Sequence, residues 1–181
     1  MSSQQERIYF IGGTGGVGSK AVQDVLAQEI PITIYTRQPE KSNYKGQPNV
    51  TLVRGDYDDL NPFEKSVAGH TLLFLLVEDL STMAHIKGSL AKVAYAAGVK
   101  QIVDIPSLTI EACPFTFIGQ AHLRSEEVIR AASSQKDYSF LCEHPTLAFH
   151  DKSSLGPICY QGARSTCWLN STRYYSSLDF T

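Results

Sequence analysis

The chain has 181 residues, is 43% hydrophobic and carries a formal net charge of −2. That length predicts one domain with a packed core, and the absence of a basic run argues against nucleic-acid binding through a broad phosphate-contacting surface. Residues 1–6 lack the basic segment and apolar core of a signal peptide, and the longest apolar run, residues 72–77, is too short to span a bilayer, so a cytoplasmic location without membrane contact is expected.

Ile8-Tyr9-Phe10-Ile11 is a β-prone apolar run that leads straight into Gly12-Gly13-Thr14-Gly15-Gly16-Val17-Gly18. Two spacings overlap there: G-x-x-G-x-x-G through Gly12, Gly15 and Gly18, and G-x-G-x-x-G through Gly13, Gly15 and Gly18. Residues 19–29 follow as a helix, with Val22, Val25 and Leu26 at helical spacing. Strand, glycine loop and helix in this order point to a nucleotide-binding turn. Such a turn reverses tightly, lets the backbone approach a pyrophosphate, and then presents free N–H groups and the positive end of a helix dipole. An ordinary glycine-rich turn is the plainer alternative.

Ile32-Thr33-Ile34-Tyr35 forms the second strand and ends in Thr36-Arg37-Gln38-Pro39. In a dinucleotide site, a carboxylate at this strand end accepts from the 2′-hydroxyl of NAD, whereas an arginine pairs with the 2′-phosphate of NADP. Residues 30–38 contain no carboxylate, and Lys41 lies close by, so Arg37 predicts NADP(H) in preference to NAD(H). The competing reading of Arg37 is a solvated surface charge.

Val50-Thr51-Leu52-Val53 is the third strand, and Asn61 is expected to cap a helix with Pro62 at its first position, running to Val67. Residues 72–77 form a continuously apolar strand, as expected where both faces are covered. A helix over 82–97 stops at Gly98, residues 101–105 form a fifth strand, a helix opens at His122 and runs to 132, and residues 138–142 form a sixth strand. The alternation predicts an α/β fold, a doubly wound parallel sheet of the Rossmann type. Cys113, Cys142, Cys159 and Cys167 form no C-x-x-C pair, so free or buried thiols are expected rather than disulfides or metal ligands.

With Gly12-Gly13-Thr14-Gly15-Gly16-Val17-Gly18, Thr36-Arg37, Gly55-Asp56-Tyr57-Asp58-Asp59, and the blocks from His122 to Glu126 and from Tyr138 to Leu141, the chain resembles the NmrA-like branch of the atypical short-chain dehydrogenase/reductases. The resemblance implies an NADP-binding domain over residues 1–149. Thr14, Gly15, Gly16 and Val17 would meet the pyrophosphate, Arg37 the 2′-phosphate, and Asp56 and Tyr57 the adenine; Asp56 could equally serve as a turn residue. Leu76, Val77 and Ser107 would stand at the carboxyl ends of later strands.

Two departures from the family matter. No Tyr-x-x-x-Lys occurs, since Tyr95 is followed four residues on by Val99 and Tyr138 by Cys142, so the usual acid is missing and no catalytic residue is assigned. Beyond Phe149 the family continues into a substrate-covering lobe, whereas residues 150–181 here are rich in Ser and Thr and are expected to be an irregular tail, as in a shortened family member. His122 reads as a helix-capping or surface histidine, or as a residue facing the nicotinamide; His144 and His150 read as structural or exposed. Two functions follow as expectations: an NADPH-dependent oxidoreductase acting on a small-molecule substrate in specialised metabolism, or a non-catalytic NADP(H) sensor that reports to a regulatory protein partner.

Overall fold

Strand β1 (Ile8–Ile11) lies within a six-stranded sheet in which every neighbouring pair is parallel. The computed structural model describes residues 6–106, 114–133 and 137–140. On one side β1 pairs with β2 (Ile32–Thr36), which pairs with β3 (Val50–Arg54). On the other it pairs with β4 (Leu72–Leu75), followed by β5 (Gln101–Asp104) and β6 (Asp137–Phe140), giving the order β3-β2-β1-β4-β5-β6. This is the predicted doubly wound sheet, with its order reversing between β1 and β4, where ligands bind in such folds.

The two faces of the sheet are buried by different helices. Ile8, Phe10, Ile32, Ile34 and Phe74 pack with Val22 and Val25 of α1 (Gly16–Leu26). Tyr9, Ile11, Leu73, Leu75 and Ile102 pack with Phe63 of α2 (Asn61–Val67), Leu90 of α3 (Met83–Ala96) and Ile129 of α4 (Phe117–Ser133). Every residue of β1 and β4 is buried, which explains why both strands are unbroken apolar runs. Polar ties fix α2 to this frame: His70 Nε2 lies 2.8 Å from Thr33 Oγ1, and Tyr9 Oη lies 2.7 Å from Ser66 Oγ.

Several boundaries differ from the sequence reading for local reasons. Helix α1 starts at Gly16 rather than 19, because the last glycines of the loop already form its first turn. Asn61 is the first residue of α2 and not its cap; its amide donates to the carboxylate of Asp59 at 2.9 Å. Strand β4 stops at Leu75, although the Leu76 amide still donates to the Ile11 carbonyl at 3.1 Å. Gly98 does end α3, with φ of 95°. Helix α4 begins five residues before His122, where Thr116 Oγ1 accepts the Gly119 amide at 3.2 Å and the Thr116 carbonyl accepts the Gln120 amide at 2.9 Å. Strand β6 ends at Phe140, so the predicted residues 141–142 lie outside the described residues, as do Ser107, Cys113, Cys142, His144, His150, Cys159, Cys167 and the tail over 150–181.

Candidate dinucleotide site at the carboxyl edge of the sheet

The chain leaves β1 through Gly12, whose φ of 79° favours glycine and where a Cβ would stand 2.5 Å from the Leu76 carbonyl oxygen. A Cβ on Gly18 would stand 2.1 Å from the Gly12 carbonyl oxygen, and one on Gly13 would press on Phe10 and Val22 at 3.0 and 3.1 Å. These three glycines therefore let the loop pack against itself and the sheet. Gly15 and Gly16 differ: a Cβ on Gly15 meets nothing nearer than 3.7 Å, and one on Gly16 meets nothing within 4 Å.

Thr14, Gly15, Gly16 and Val17 are all exposed. Gly15 occupies the cap position of α1 in an extended conformation, no side chain among the described residues caps the helix, and its first turn holds no acidic residue. The helix thus offers amides and the positive end of its dipole to an anion from outside the protein. The open side of Gly15 and Gly16 leaves room for a pyrophosphate, so the residues present fit the group that the sequence led one to expect.

Around this loop the strand ends converge. The exposed Arg37 follows β2; its carbonyl accepts from Arg54 Nη1 at 3.1 Å while Arg54 Nη2 holds Glu40 at 2.5 Å, and no salt bridge among the described residues takes the Arg37 guanidinium. The positive charge of Arg37 and the carboxylate of Glu78 both act on the Tyr57 hydroxyl, whose pKa is raised chiefly by desolvation. Glu78 Oε1 would lie 4.0 Å from a Cβ on Gly15. This carboxylate beside the loop escaped the sequence reading, its only signal being its place just past an apolar strand.

Asp56 has a turn role in the structure. Its Oδ1 accepts the amides of Asp58 at 3.1 Å and Asp59 at 3.2 Å. Tyr35 of β2 donates its hydroxyl to the Asp56 carbonyl at 2.7 Å, and Gly55 makes room, since a Cβ there would fall 2.1 Å from Tyr35 Oη. Asp56 and Tyr57 are thereby pinned beside the end of β2. On the outer flank of the loop, a cleft of about 430 Å³ is lined by Thr14, Ser19, Gln23, Lys41, Asn43 and Tyr44, among others, and of the loop glycines it touches none.

A second cluster sits under β5. Lys87 Nζ of α3 lies 2.7 Å from Asp104 Oδ1, and both side chains are 0% exposed. Burial raises the Asp104 carboxyl and Lys87 opposes that shift. From α4, buried His122 is lowered to about 4 by desolvation and then by the charge of Lys87, and Glu126 is raised to about 7 by desolvation and then by Asp104. His122 is neither a cap nor a surface residue, because α4 starts earlier and turns its second turn inward. Lys87 was not singled out from sequence, Glu126 entered only as the end of the block that opens at His122, and Asp104 was read only as part of a strand; a carboxylate inside Gln101-Ile102-Val103-Asp104-Ile105 was the available signal.

The parallel sheet, the glycine loop opening an uncapped helix, and the convergent strand ends define a dinucleotide-binding α/β domain. The chain belongs to the NAD(P)H-binding family, whose model matches residues 12–146. No curated protein matches the chain. Among solved structures it is similar to the Citrobacter sp. triphenylmethane reductase complexed with NADP(H), at 24% identity and a TM-score of 0.62, over 75% of this chain and 48% of that one. It is similar to the NADPH-dependent quinone oxidoreductase of Escherichia coli complexed with NADPH, at 22% identity and a TM-score of 0.64, over 74% of this chain and 47% of that one. A Rossmann-fold NAD(P)-binding family protein from Shigella flexneri gives 18% identity and a TM-score of 0.63, over 76% and 66% of the two chains. These likenesses establish the fold, and the chain spans about half the length of the two reductases. Among the described residues, no helix is long and apolar enough to cross a membrane and no group of three or more His, Cys, Asp or Glu could hold a metal ion.

Proposed function

We propose that the chain is the cofactor-binding domain of an NADPH-dependent oxidoreductase of the NmrA-like type that reduces a small organic acceptor. The carrying observation is the uncapped start of α1 with Gly15 and Gly16 open to the outside. Arg37, held by its backbone through Arg54 while its guanidinium is left out of the salt bridges among the described residues, supports the 2′-phosphate over the 2′-hydroxyl. Lys41, on the wall of the cleft that reaches Thr14, adds a second cation on that flank.

When bound, the cofactor supplies hydride; the chain's own residues supply binding, orientation and charge. The amides of α1 hold the pyrophosphate, Arg37 the phosphate of the ribose, and the pinned Asp56 and Tyr57 border the adenine. The missing Tyr-x-x-x-Lys dyad favours a second reading, an NADP(H) sensor in the cytoplasm that binds the cofactor without turnover and reports to a regulatory protein. Calorimetric titration with NADPH and NADH, followed by a search for acceptor-dependent loss of NADPH absorbance, separates the two. Turnover supports the enzyme, binding alone supports the sensor, and no binding of either cofactor refutes both.

A further inference from the structure

The buried cluster under β5 is an expensive arrangement for a structural core. Two charges out of water repay their desolvation only when the remaining lone pairs are satisfied. Here they are not: Asp104 Oδ2 and His122 Nδ1 are buried without a hydrogen-bond partner among the described residues. Asp104 is 0% exposed and His122 is 7% exposed.

Its location follows from topology. Asp104 is the last residue of β5, in register with Leu75, which is in register with Ile11, the residue before the glycine loop. Helix α4 follows β5 and precedes the parallel β6, so it starts at the carboxyl edge and runs inward. His122, Glu126 and Arg130 recur at every fourth residue and share one face of it. The face thus carries a line of ionisable groups from the cofactor edge toward Arg130, whose side chain is 31% exposed and lies 3.9 Å from Glu126.

We infer that Lys87, Asp104, His122 and Glu126 form the proton-supplying unit of the site, with Glu126 as the proton store and His122 as the relay to the acceptor. The inference rests on the oxidoreductase reading. The acceptor carbon receives hydride from the bound dihydronicotinamide, which is oxidised; the acceptor oxygen gathers the displaced electron pair and takes the ring proton of His122. Before this, the other ring nitrogen has taken the carboxyl proton of Glu126, four residues on along the same helix face, so the ring ends neutral. Glu126 is left as a carboxylate facing Lys87 and Arg130, with Asp104 opposing, and regains a proton from water past Arg130. The groups that set its titration are Lys87 on α3, Asp104 on β5, and Arg130 on its own helix. This supplies the proton that a tyrosine gives in the ordinary dyad.

The test uses the full 181-residue chain with NADPH, and menadione as the acceptor probe. In chain labelled with ¹³C at glutamate carboxyls and free of cofactor, one resonance should titrate near neutral pH and vanish in Glu126→Gln. NADPH affinity should be unchanged in Glu126→Gln and His122→Gln, while turnover falls roughly tenfold or more in both. The wild-type rate should fall as pH rises through the Glu126 midpoint, and Glu126→Gln should flatten that profile. His122→Gln should keep the glutamate titration and still lose turnover, which a merely structural role would not produce. A glutamate set that titrates only in the ordinary acidic range, or a profile unchanged by Glu126→Gln, would overturn the relay, whereas NADPH binding with no menadione-driven oxidation would overturn the oxidoreductase reading beneath it. Failure of the chain to bind NADPH would instead overturn the cofactor reading beneath it.

Discussion

The hydroxyl of Tyr35, the last buried residue of β2, lies 2.7 Å from the carbonyl oxygen of Asp56 and 3.3 Å from that of Asp59. One side chain of the sheet therefore holds the whole turn that borders the proposed adenine end. Its pKa is raised to about 12, first by burial and then by the carboxylates of Asp56 and Asp59, so the hydroxyl remains a donor at any working pH. Tyr35→Phe should cost about 0.5–1.5 kcal/mol of stability, read by urea denaturation, and should weaken NADPH and NADH alike because both share the adenine. Unchanged affinity for both would separate the turn from the cofactor.

The glycines of the loop divide by what surrounds them, and the division can be measured. Gly18→Ala should destabilise the chain strongly, since its Cβ collides with the Gly12 carbonyl and backbone cannot retreat cheaply. Gly15→Val should leave the melting temperature nearly unchanged, because Gly15 has a negative φ and open space, yet remove dinucleotide binding. Retained binding in Gly15→Val would move the pyrophosphate elsewhere.

Arg37→Ala should weaken NADPH by about 1.5–3 kcal/mol, the range for a hydrogen bond to a charged group, and leave NADH almost untouched. Equal losses for the two cofactors, measured by calorimetry, would remove the argument for the 2′-phosphate.

The pair Lys87 and Asp104 should behave as buried ion pairs do. Lys87→Met alone should cost about 3–5 kcal/mol by stranding a carboxylate in the core. The double variant Lys87→Met with Asp104→Leu should recover most of that loss in chemical denaturation. Additive losses in the double variant would mean that packing, not charge, dominates there.

Glu126 also predicts the sign of a pH effect on stability. Its folded pKa of about 7 lies above the ordinary 4.5, so the native state holds a proton that the unfolded chain releases, and stability falls as pH rises across that interval. The loss approaches about 3 kcal/mol at the alkaline end. His122, lowered to about 4, acts in the opposite sense and removes stability as pH falls below its ordinary 6.5. Glu126→Gln should therefore gain on the wild type at about pH 8 and not at about pH 5; the same difference in unfolding free energy at both pH values, from urea titrations, would contradict it.

Much of the fold was legible because its signals are local and redundant. A strand buried on both faces must be apolar throughout, and β1 and β4 are; a glycine at the end of α3 marks a left-handed residue, and Gly98 is one. What escaped was set by partners distant in sequence. Asn61 looks like a cap until Asp59 takes its amide, and His122 looks like a helix start until Thr116 is seen to begin the helix earlier. Arg37 and the loop glycines could be named from spacing, but the split between glycines that serve packing and glycines that face outward depends on Leu76, Phe10 and Val22. The ion pair of Lys87 with Asp104 joins residues seventeen positions apart on different elements, and neither residue type announces burial.

The strand order also divides the labour of the chain along its length. The loop after β1, Arg37 after β2, the Asp56 turn after β3 and Glu78 after β4 all come from the first 78 residues, whereas Lys87, Asp104, His122 and Glu126 come from α3 onward. On the proposed assignment, the first stretch would keep its grip on one coenzyme while the second drifts toward new chemistry. Variation in specificity among related sequences should then gather downstream of β4, and a hybrid joined between Glu78 and Met83 should inherit its coenzyme from one parent and its reaction from the other.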